Sequence, residues 1–138
     1  MEKSILNGKV LVALGDSLFH GNKLGNGATW INKLGETCGM TVYNHGINGN
    51  TLALNTINQK HPPMCVRYAD MADGADYVVL LGGSNDKRLH VPLGDEACRA
   101  DRSYRDTSTF YGALNTLIAG LTEKYPKAKI LLMTTYNR

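Results

Sequence analysis

The chain has 138 residues, of which 43% are hydrophobic and 20% charged, and a formal net charge of +3. That length fits a single domain with one modest core, and the composition excludes a disordered chain. Basic residues come in short interrupted groups such as "DKRLH" and "EKYPKAK"; these read as solvated faces and give no footprint for nucleic acid or a membrane surface.

The opening segment "MEKSILNGKVLVALGDS" holds only a brief apolar run before Gly15. This is shorter than a signal-peptide core and far too short to span a bilayer. Cys38, Cys65 and Cys98 are widely spaced and odd in number, with no CxxC pair. That pattern argues against a disulfide framework or a zinc site and points to a reducing, cytoplasmic setting.

In chain order, "KVLVAL" (Lys9 to Leu14) predicts a strand buried on both faces. A polar, glycine-rich loop follows from Gly15 to Gly27. Trp30, Ile31, Leu34 and Cys38 recur at helical spacing, and Gly39 is placed to stop that helix. "MTVYN" (Met40 to Asn44) predicts a second strand, "HGINGNT" a turn, and Leu52 to Gln59 a short helix broken by "HPP" (His61 to Pro63). "CVRYADMADG" predicts another short helix, closed by Gly74. Tyr77 to Leu81 repeats the buried-strand pattern and runs into "GGSND".

Lys87 to Thr107 is polar and irregular, and a loop of that length in a compact domain is usually functional or mobile. The clearest helix is "TFYGALNTLIAGLTEKY", with Phe110, Leu114, Leu117, Ile118 and Leu121 as its apolar stripe. Thr109 or Ser108 can cap it, and Pro126 ends it. "AKILLMTTYNR" gives a fourth strand. Strands alternating with helices imply a three-layer α/β domain with a parallel sheet, in which ligands bind beyond the carboxyl ends of the strands. "GDSLFHG", "HGINGN" and "GGSND" all fall on that rim.

A serine hydroxyl becomes a nucleophile when a base takes its proton and donors stabilise the oxyanion that forms. Ser17 follows the first strand. Its own N–H, the N–H of Gly49 and the side-chain amide of Asn85 are candidate donors to one pocket. Each segment alone also reads as an ordinary strand-ending turn, where Gly, Asn, Asp and Ser belong.

Together, "GDSLFHG", "HGINGNT" and "GGSND" resemble the first three sequence blocks of the GDSL/SGNH hydrolases, in the same order and on the corresponding strands. The likeness runs from about Lys9 to the last residue. It implies a flavodoxin-like three-layer α/β/α fold and hydrolysis of esters of small acyl groups, lipids or acetylated sugars, without metal or organic cofactor. It also implies Ser17 as nucleophile and first oxyanion donor, Gly49 as second donor and Asn85 as third. Asp16 and Asp86 become loop-bracing residues.

The family's C-terminal DxxH, which carries the general base and its orienting Asp, has no match in these residues. The resemblance therefore reads as a single SGNH-like domain over 1–138, incomplete at its C-terminal end and lacking an edge strand. Three expectations stand side by side. The first is a serine esterase acting on a small-molecule ester, whose base lies outside these residues. The second is a non-catalytic α/β module that binds an acyl or sugar ligand or a partner chain. The third, a flavodoxin-like phosphate binder, lacks any GxxxxGK[ST] or GxGxxG. Among resident histidines, His20, His45 and His90 fall near the rim, with Asp86 and His90 the best-spaced pair and His61 poorly placed. The bare fourth strand predicts pairing of two copies through "KILLMT". The Lys87 to Thr107 loop is expected to shape specificity, with Leu18, Phe19 and Tyr104 as candidate pocket walls.

Overall fold

The computed structural model describes residues 4–21, 28–55 and 59–133. Four strands form one sheet: β1 (Val10–Gly15), β2 (Thr41–Gly46), β3 (Tyr77–Leu81) and β4 (Lys129–Met133). All are parallel, in the order β2-β1-β3-β4. The helices are α1 (Ser17–His20), α2 (Trp30–Cys38), α3 (Met64–Arg67), α4 (Ser84–Arg88) and α5 (Phe110–Lys124).

The continuous apolar runs of β1 and β3 are explained by burial on both faces. Val12, Leu14, Val78 and Leu80 point into one core with Leu52, Met64, Leu117 and Leu121. Their neighbours Leu11, Ala13, Val79 and Leu81 point into the other, with Phe19 and Ile31. Side chains alternate across a strand, so the two clusters lie on opposite sides of the sheet. This is the expected α/β/α sandwich, with α1 and α2 on one face and α3 and α5 on the other. Gly39 closes α2 in the left-handed conformation (φ 69°). The Thr109 hydroxyl accepts from the Gly112 N–H and caps α5.

Three expectations change. The helix predicted over Leu52 to Gln59 is absent from Leu52–Asn55; residues 56–58 lie outside the described residues. Distant partners take this backbone instead. The N–H groups of Leu52 and Ala53 donate to the Asp86 carboxylate, and Leu54 N–H donates to the Thr107 carbonyl. The stripe of α5 is also rotated. Ala113, Leu117 and Leu121, stacked at i, i+4 and i+8, are fully buried, whereas Ile118 is 41% exposed. "CVRYADMADG" forms α3, begun one residue earlier at Met64, followed by a single 3-10 turn at Tyr68–Asp70.

β4 pairs only with β3 among the described residues, and its Leu131, Leu132 and Met133 are exposed. No helix of the described residues is long and apolar enough to cross a membrane. The strand order places successive connections on opposite sides of β1. The crevice between the carboxyl ends of β1 and β3 is thus a topological switch point, where ligands bind in open α/β sheets.

Candidate active site

Ser17 is the first residue of α1, held up at the end of β1 by Asp16. Asp16 is buried and is the N-cap of that short helix. Its Oδ1 accepts from the Leu18 N–H at 3.1 Å, and its carbonyl accepts from Phe19 and His20. The apolar run stops here because Asp16 turns the chain, which leaves Ser17 half-exposed above the sheet.

The turn after β2 is fastened to the same place, since the Ile47 N–H donates to the Gly15 carbonyl at 3.0 Å. Gly49 adopts φ 75°, a conformation that L residues with a side chain rarely take, and a Cβ there would meet nothing within 4 Å. The glycine is required by the backbone, and the space beside it is open. Asn50, the next residue, is buried.

After β3, Gly83 at φ 112° turns the chain into α4. The Asn85 Nδ2 donates to the Asn50 carbonyl at 3.1 Å, while its Oδ1 accepts from the Arg88 guanidinium at 3.3 and 3.4 Å. An amide nitrogen carries two hydrogens, so one remains for a ligand. The buried Asp86 carboxylate accepts from Leu52 N–H at 2.9 Å and Ala53 N–H at 3.0 Å. Burial raises its pKa, against the lowering effect of those two N–H donors.

A cleft of about 920 Å³ opens between these segments. Ser17 and Asn85 both line it; Gly49 does not, and is joined to it through Asn50 and the Asn85 amide. Leu18, Val91, Leu93 and Phe110 form its apolar wall. Its exposed charged or titratable groups are Lys87, Arg88 and His90, whereas both of its carboxylates, Asp16 and Asp86, are buried. The Lys87 to Thr107 loop thus supplies much of the wall, as its length suggested. Of the three candidate walls only Leu18 reaches the cleft: Phe19 is wholly buried in the core with Ile31, and Tyr104 is not among the lining residues.

Of the four histidines, only His90 lines the cleft. His20 places Nδ1 3.2 Å from the Gly46 carbonyl, and His61 is exposed on the loop before α3. His45 sits in β2 with its Nε2 buried and without a hydrogen-bond partner; burial and then the nearby Arg67 charge lower its pKa. The Asp86–His90 pairing is not formed, because both carboxylate oxygens of Asp86 face backbone N–H groups. Among the described residues, no side chain hydrogen-bonds to the Ser17 hydroxyl, and no group of three or more metal-ligating side chains converges.

Two residues that sequence reasoning passed over are central to this geometry. Arg67 reads as a solvated cation on a short helix, yet its guanidinium reaches Asn50, His45 and Gly15. Asn50 reads as a generic turn residue, yet it is buried and accepts from Asn85. Nothing local in the sequence marks either residue, because the partners of both lie far along the chain.

The sequence profile of the GDSL-like lipase/acylhydrolase family matches residues 13–138. The chain belongs to that family. No curated protein matches it. Among solved structures, one is 32% identical with a TM-score of 0.81, covering 94% of this chain and 57% of its own. A protein from Lactobacillus plantarum is 30% identical with a TM-score of 0.75, again covering 94% of this chain and 57% of its own. AlinE4, an SGNH-hydrolase family esterase, is 22% identical with a TM-score of 0.66 over 98% of this chain and 63% of its own, a likeness of fold. The chain thus spans under two thirds of the length of these solved structures.

Proposed function

We propose that this protein is a serine esterase in which Ser17 attacks an ester carbonyl, while the N–H groups of Ser17 and Gly49 and the free amide hydrogen of Asn85 receive the oxyanion. One observation carries the reading. Ser17 and Asn85 line the same cleft, and the Asn85 amide is anchored to the residue that follows Gly49. Donors held in place before reaction cost no reorganisation as negative charge develops, and each contributes about 3 kcal/mol to the transition state.

The apolar wall with the Lys87 and Arg88 cations at its rim supports an ester whose acyl chain is apolar along its length and ends in a negative charge. The proton acceptor for Ser17 lies outside these residues, in keeping with the family's DxxH. This is favoured over His90 because no carboxylate is available to orient His90 once Asp86 is engaged. His90→Gln therefore leaves turnover unchanged.

A second reading, a non-catalytic module, uses the same cleft and its apolar wall to bind an acyl ligand without turnover. Hydrolysis of p-nitrophenyl acetate by the protein and by Ser17→Ala separates the two. The esterase reading expects turnover that the variant loses; equal rates remove it.

A further inference from the structure

We propose that Arg67 is the positioning residue of this site: its guanidinium fastens the Gly49–Asn50 turn to the carbonyl ends of β1 and β2 and so sets the direction of the oxyanion donors. Its functional consequence rests on the esterase reading; the geometry does not.

Arg67 is the last residue of α3 and is half-buried. Nε and Nη2 both donate to the Asn50 Oδ1, at 3.1 and 2.7 Å. Nη1 donates to the His45 carbonyl at 3.0 Å, and Nη2 lies 3.4 Å from the Gly15 carbonyl. Gly15 immediately precedes Asp16 and Ser17. Asn50 immediately follows Gly49, and its own carbonyl receives the Asn85 amide. One cation thus joins the chain segments that bear Ser17 and Gly49, and the Asn85 amide is tied to the second of them through the Asn50 carbonyl.

Two features show that this is a built arrangement and not a surface arginine folded back. First, no carboxylate of the described residues lies within ion-pair distance of Arg67. A partly buried cation without a counter-charge is unfavourable unless its hydrogens are used, and here the planar fork uses them on neutral oxygens. Second, Asn50 is held from its other side. Its Nδ2 donates to the Pro62 carbonyl at 2.9 Å, so the side-chain amide has both ends fixed and presents Oδ1 to Arg67. A lysine offers a point charge with no rigid fork and cannot span Asn50, His45 and Gly15 together.

The test uses Arg67→Met, Arg67→Lys, Asn50→Ala and the Arg67→Met/Asn50→Ala double variant. Lys124→Met, at the last residue of α5, whose ammonium bonds the Ala69 carbonyl and the Asp73 carboxylate, is the control. Folding is checked by thermal melting, turnover is measured on p-nitrophenyl acetate, and the Gly49 backbone and Asn85 side-chain amides are followed by heteronuclear NMR. The proposal expects kcat to fall about tenfold to a hundredfold in each folded single variant, with KM little changed. It also expects little recovery in Arg67→Lys and no further loss in the double variant, because the two residues act as one unit. The Gly49 and Asn85 signals shift in the Arg67 and Asn50 variants and not in the control.

Unchanged kcat in a folded Arg67 variant overturns the proposal, and so does multiplicative loss in the double variant. If Arg67→Met does not fold, Arg67→Lys and Asn50→Ala decide. If the parent protein shows no turnover, the esterase reading fails by itself and the NMR signals decide the positioning: unmoved Gly49 and Asn85 resonances overturn it.

Discussion

The side-chain nitrogen of Asn85 donates to the backbone carbonyl of Asn50 at 3.1 Å, across 35 residues of chain. That bond ties the segment after β3 to the turn after β2, and the second amide hydrogen of Asn85, a residue of the cleft lining, is the one proposed to meet the oxyanion. Removing it has two separable effects. Asn85→Ala is expected to lower kcat on p-nitrophenyl acetate by about a hundredfold or more, as loss of one oxyanion donor does elsewhere. The stability cost is smaller, about 1 kcal/mol for one hydrogen bond, read as a modest fall in denaturant midpoint. A variant that melts as expected but turns over at the parent rate removes Asn85 from the chemistry.

Asp86 makes a prediction about folding, not catalysis. Its carboxylate satisfies the backbone N–H groups of Leu52 and Ala53. Asp86→Ala leaves both donors buried and unpaired, at a cost of about 1–3 kcal/mol for each. Chemical denaturation is expected to show a loss of about 2–6 kcal/mol for the two together. A change below 0.5 kcal/mol, the ordinary size for a surface substitution, would show that the segment finds other partners.

His45 gives the pH dependence. Its pKa is lowered in the folded protein, first by burial and then by the Arg67 charge. The unfolded chain therefore binds the proton more readily. Stability from this group is fully present above the ordinary histidine value of about 6.5 and is lost as pH falls through the lower folded value. The buried Nε2 without a partner fits a neutral ring. Replacing the ring with a non-titrating aromatic, His45→Phe, is expected to flatten the fall of melting temperature below pH 6.5. An unchanged slope would mean that other groups govern it.

The basic rim of the cleft predicts a charge preference. p-Nitrophenyl hemisuccinate should be hydrolysed with higher kcat/KM than p-nitrophenyl butyrate, a neutral ester of similar length. The advantage should shrink with added salt as the field is screened over about 10 Å at 0.1 M. Lys87→Glu with Arg88→Glu should invert the preference. Equal kcat/KM for the two esters at low salt would remove charge from the account of specificity.

How much of this was legible in the sequence follows from range. β1 and β3 were readable because strands buried on both faces must be apolar throughout, and Val10–Gly15 and Tyr77–Leu81 are. The cap at Thr109 and the stop at Gly39 were readable because their partners lie within a few residues. The stretch from Leu52 was misread because its hydrogen bonds go to Asp86 and Thr107, which no local window contains. Arg67 was missed for the same reason: its acceptors lie 17 to 52 residues away. The site itself was half legible. Strand direction put Ser17, Gly49 and Asn85 on one rim, but the placing of Gly49 beside the cleft and not on its wall depends on the fold of the turn.

The most direct test of the central claim is labelling with an alkyl fluorophosphonate, followed by peptide mapping of the protein and of Ser17→Ala. The account predicts a stoichiometric phosphonyl adduct on the peptide that carries Ser17, slowed in Asn85→Ala and absent from Ser17→Ala. A native, folded protein that takes no label at Ser17, or labels equally in the Ser17→Ala variant, would contradict it.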